Sequence, residues 1–171
     1  MKVVPLLGTL MISIFLYSNE PAFDKSIDDL LKHKIIQQVP PESTRVDMDR
    51  QGKTLTSVLS RNPGIPNSRW VLRAVAYDKK HINIITLFIP TSRSKPESPN
   101  KLHDDDENHI SDVLGFLMLE GSKAKIFNLV NETLTLNNRQ WQEVDIEKVQ
   151  VMCQYDGKEV LLLFSATNKH E

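Results

Sequence analysis

One cysteine, six glycines and an almost balanced charge set the first limits on this chain of 171 residues. With Cys153 alone there is no disulfide to close within the chain, so an apolar core must hold the fold. Few glycines leave little room for phosphate-cradling loops, and neither G-x-x-x-x-G-K-[ST] nor G-x-G-x-x-G occurs. No serine sits in a G-x-S-x-G elbow. Basic residues number 21 and acidic residues 22, for a net charge of -1. Nucleic-acid binders neutralise phosphates with a basic face, and here the basic residues gather only in short pairs such as Lys79-Lys80. The composition therefore argues against nucleic acid as a partner. No nucleophile, base and acid can be assembled from the order of residues, and the chain is read as non-enzymatic.

What is present is an ordinary globular composition, 40% hydrophobic and 25% charged, in a length that suits one domain. The N-terminus stands apart. Met1-Lys2 precedes an apolar run from Val3 to Tyr17, and no further charge appears until Glu20. That order is the secretory leader pattern, and the run is shorter than the ~20 residues that span a bilayer. Cleavage is expected after Ser18, giving a leader at 1–18 and a single domain at 19–171. Leu16 departs from the A-x-A ideal, so a membrane anchor retained over 3–17 is the alternative. The expected location is periplasmic or secreted.

The core is organised around residues 69–90. Arg69 to Tyr77 and Ile82 to Ile89 are rich in β-branched and aromatic residues and flank the polar Asp78-Lys79-Lys80, which reads as a hairpin. The second run is apolar on both faces, as in a strand near the middle of a sheet, and Pro90 ends it. Val149 to Tyr155 and Lys158 to Ala166 flank Asp156-Gly157 and read as another hairpin. Cys153 alternates with Val149, Val151 and Tyr155 there, which makes it a small buried hydrophobe. A third hairpin is expected from Glu132–Leu136, a turn at Asn137-Asn138, and Arg139–Val144. The triplet Asn131-Glu132-Thr133 is also a glycosylation sequon, meaningful only in a eukaryote.

Helices are expected at Phe23–Gln38, where Ile27, Leu30, Leu31 and Ile35 recur at helical spacing, and at Ile110–Glu120. The second is apolar almost all round, so a buried strand is its alternative. His33 falls on a charged face and reads as solvated. A short strand is expected within Glu42–Arg50. The fold class that follows is α+β: one domain, an antiparallel sheet of five to seven strands in hairpins or a meander, with one or two helices packed on it.

Residues 91–109 read as a mobile polar loop that ends in the most chemically suggestive run, His103 to His109. Asp104, Asp106 and Asn108 match the first three ligand positions of an EF-hand loop, and Asp112 the ninth. The turn glycine is His109 and the bidentate glutamate is Gly115, so the motif is incomplete. His103, Asp104, Asp106, Asn108, His109 and Asp112 are accordingly candidate ligands for a divalent cation, with a metal-assisted hydrolase as the alternative function. No other cofactor is implied. The leading function is an exported binding module, an accessory, adaptor or inhibitor of a protein partner. Its expected contacts are the acidic Asp104, Asp105, Asp106 and Glu107, which suit a basic partner, and Asn62 and Ile65 in the proline-containing loop at 61–68.

Overall fold

The computed structural model describes residues 22–37, 44–48, 56–61, 70–78, 80–91, 102, 104–136 and 139–167. The leader expected at 1–18 and the loop residues Asn62 and Ile65 lie outside them. Seven strands form one antiparallel sheet: β1 (Thr44–Met48), β2 (Thr56–Arg61), β3 (Val71–Ala76), β4 (Ile84–Pro90), β5 (Gln142–Ile146), β6 (Val149–Tyr155) and β7 (Glu159–Ala166). Their order across the sheet is β1-β2-β3-β4-β7-β6-β5. Two meanders are thus joined through the β4–β7 pair, in which Ile85 faces Phe164 and Leu87 faces Leu162. The run that is apolar on both faces, Ile82–Ile89, supplies the middle strand. The fold is α+β with a meander sheet, as the residue pattern implies.

Between the meanders stand α3 (Asp104–Phe116), a 3-10 turn at Glu120–Ser122, and α4 (Lys123–Leu136). Two expectations change here. The polar loop does not extend to residue 109, because Asp104 to His109 already form the first turns of α3. Acidic residues at a helix start complement its dipole, so this run is as suitable for a helix as for a loop. The hairpin expected over 132–144 is also absent: Glu132–Leu136 is the end of α4, and only its second half becomes the strand β5. The alternation of Thr133, Leu134, Thr135 and Leu136 imitates a strand. The longer period decides, since Ile126, Leu129, Val130, Thr133 and Leu134 form one buried helical stripe. Tertiary burial of that stripe outweighs local β-propensity.

The expected N-terminal helix is divided into α1 (Ile27–Lys32) and α2 (Lys34–Gln37). A capping box starts α1: the Ser26 hydroxyl accepts from the Asp29 N–H at 3.1 Å, and the Asp29 carboxylate accepts from the Ser26 N–H at 2.9 Å. At His33 the backbone becomes extended, with ψ 148°. On one straight helix of about 100° per residue, Ile36 would point opposite to Ile27. The break rotates the second turn so that Ile27, Leu30, Ile35 and Ile36 all reach the core.

That core lies on one face of the sheet. Leu72, Ala74 and Ala76 of β3, Ile85, Leu87 and Ile89 of β4, Val160, Leu162 and Phe164 of β7, and Val151, Cys153 and Tyr155 of β6 pack with the inward residues of the four described helices. Full burial of one Leu or Phe contributes about 1.5–3 kcal/mol, so this layer accounts for the main stabilisation. Cys153 is fully buried within it, as its position in the alternation requires.

Candidate functional site

The acidic run is split by the helix that it forms. In α3, residues three apart share a face, and Asp106 and His109 are such a pair. Asp106 is buried, at 3% exposure, and the half-buried His109 ring lies 5.0 Å from that of the buried Trp70, just before β3. Asn108 points to solvent. Asp112 meets Lys34 at 2.6 Å and ties α2 to α3. Ser111 donates its hydroxyl proton to the Glu107 carbonyl, a bond internal to the helix.

Of the six candidate ligands, then, Asp106 and His109 come to one face, while Asn108 faces solvent and Asp112 is taken up by Lys34. His103 lies outside the described residues, and for Asp104 and Asp105 only the helical backbone is described. Among the described residues no three His, Cys, Asp or Glu side chains gather into a group that suits a metal ion. Burial of Asp106 also removes it from the set expected to meet a basic partner. Trp70 is the companion of His109 that the residue pattern did not announce, because the two are far apart in sequence and only the fold unites them.

A second cluster lies on the other face of the sheet. Val75, Ile84, Met152 and Leu163 are buried there, and Tyr77 and Trp141 pack against them. Among the described residues no helix residue belongs to this cluster. The pairing Arg73–Thr86–Leu163–Met152–Glu143 crosses five strands, and cross-strand partners share a face. Around it stand the half-buried Val71, Phe88 and Leu161. At the β5 edge Glu143 and Asp145 are exposed, with Gln150 donating to Glu143 at 3.2 Å. The Arg73 Nε, Tyr77 hydroxyl and Trp141 Nε1 atoms are buried with no hydrogen-bond partner. A buried polar atom without a partner costs about 1–3 kcal/mol, and three of them lie on this face.

The remaining polar arrangements are local. Asp78 accepts from the N–H groups of Lys80 and His81, both at 2.7 Å, and lies 3.1 Å from His81 Nδ1. The hydrogen bond to His81 holds its carboxyl below the usual range. These bonds close the β3–β4 connection, which Asn83 reinforces by accepting from the Tyr77 N–H. Burial pushes the Cys153 thiol up to about 11, against a hydrogen bond with Thr133 that lowers it. A thiol so placed has no thiolate character at neutral pH.

No protein-family model, curated protein or solved structure matches this chain. The two faces of the sheet therefore carry the functional reading by their chemistry alone.

Proposed function

We propose that the chain is an exported, non-enzymatic binding module whose protein partner docks on the second face of the sheet. One observation carries this reading: the face opposite the helices combines half-buried Val71, Phe88 and Leu161, the aromatic Tyr77 and Trp141, and three buried polar atoms without acceptors. Aromatic residues and arginine are the types that anchor protein interfaces. Glu143 and Asp145 on the same face favour a basic segment in the partner. Export rests on the pattern of residues 1–18. Among the described residues no helix is long and apolar enough to cross a membrane.

The test is retention of a partner from envelope and secreted fractions by the tagged chain. Phe88→Glu with Leu161→Glu places charge on the second face, while Lys125→Glu alters the exposed side of α4. Near-stoichiometric capture by wild type and by Lys125→Glu, lost in the double variant at a comparable melting temperature, is the expected result. Capture that survives in the double variant overturns the docking face, and no capture by any form overturns the binding module.

A further inference from the structure

The joint between α1 and α2 is built on an imidazole. The His33 ring stacks against Phe116 of α3, with centroids 5.2 Å apart and planes at 60°. The backbone N–H of His33 donates to the Leu30 carbonyl at 3.0 Å and closes α1. The ring Nδ1 accepts from the Ile35 N–H at 3.4 Å, a long bond that satisfies one of the open donors at the start of α2. The solvated reading of His33 is thus replaced by a half-buried one. Beyond it, Lys34 reaches Asp112 at 2.6 Å, and Ile35 and Ile36 enter the core at 3% and 5% exposure.

We propose that His33 is an acid-released latch, whose neutral ring holds the α1–α2 arm against α3 and whose protonation frees it. The Ile35 bond requires Nδ1 to be an acceptor, which fixes the proton of the neutral ring on Nε2. Protonation turns Nδ1 into a donor facing another donor. It also places a cation in a half-buried position, near Lys34 and Lys25. Among the described residues Asp112 is the acidic group that opposes this, and it is already paired with Lys34. Burial first, and then Lys34, hold the His33 pKa below its ordinary 6.5. The unfolded or released arm therefore binds the proton more readily. The latch is complete above pH 6.5 and is lost as the pH falls through the folded-state value. Release would uncover Ile35, Ile36 and Phe116, which are buried in the closed arm.

Hydrogen exchange of the full chain at pH 7.4 and 5.0, corrected for intrinsic exchange, tests this. Protection of residues 27–37 should fall at the lower pH, by at most roughly tenfold per pH unit for a single proton, while α4 stays unchanged. His33→Phe keeps an aromatic ring against Phe116 but cannot titrate, and its arm should show no such pH dependence. Equal protection of the wild-type arm at both pH values, or the same loss in His33→Phe, overturns the latch. Should His33→Phe loosen the arm at both pH values, NMR titration of His33 in the wild-type chain decides. A pKa below 6.5 supports the latch, and one at or above 6.5 overturns it.

Discussion

Met118 should be worth more as glycine. It ends α3 in the left-handed region, with φ 59°, and its side chain is 75% exposed. The Leu119 N–H donates to the Leu114 carbonyl at 2.8 Å and the Met118 N–H to the Gly115 carbonyl at 3.2 Å. This is a complete Schellman motif, with Leu119 and Leu114 both buried beside it. A side chain in this conformation costs roughly 1–2 kcal/mol, and an exposed methionine returns little by burial. Glycine removes that strain but gives the unfolded chain more freedom, which offsets about 0.5–1 kcal/mol. Met118→Gly should stabilise by about 0.5–1 kcal/mol, or roughly 1–4 °C in melting temperature for a domain of this size. Met118→Ala keeps the Cβ and should change little, so the pair separates backbone strain from loss of the thioether. Thermal melting by circular dichroism reads both. A Met118→Gly chain no more stable than wild type would refute the strain argument.

Further perturbations probe the core, the first cap and the cysteine. Leu162→Ala removes a fully buried side chain from β7 at the junction of the two meanders, and urea denaturation should show a loss of about 2–5 kcal/mol; a loss below 1 kcal/mol would place the core elsewhere. Ser26→Ala deletes the capping box of α1 and should cost about 1 kcal/mol. The Ser26 hydrogen bonds hold the Asp29 carboxyl below its ordinary 3.8, so this contribution is present above that pH and lost as the pH falls through the folded-state value. Acid titration of stability should therefore be shallower in Ser26→Ala, and identical acid limbs would contradict the cap. Cys153 should resist alkylating reagents at pH 8 in the native state and react in urea; rapid native labelling would contradict its burial.

The fold was most legible where apolar periodicity and turn chemistry agreed. Residues 149–166 show this: alternation through Cys153, then Asp156-Gly157, with Gly157 at φ 92° as the turn demands. The β5–β6 turn was harder to see, because its positive φ belongs to Glu147 rather than to glycine. Over 132–136 a local alternation hid a helix whose period becomes evident only from Ile126 onward. At 104–109 charge alone was ambiguous, and the burial of Asp106 and the packing of the His109 ring against Trp70 are encoded by no local pattern. His33 belongs to the same class. Its ring is placed by Phe116, 83 residues further along the chain. The second face of the sheet was least legible of all, since Arg73, Glu143 and Met152 become neighbours in one row only through strand order.

Site-specific photo-crosslinking tests the central claim most directly. A photoreactive residue at Leu161, on the second face, and another at Asn128, on the exposed side of α4, would be irradiated with the envelope and secreted fractions present. The binding-module account predicts one discrete protein adduct from position 161 and none from position 128. Adducts from position 128 alone, or from neither position, would contradict it.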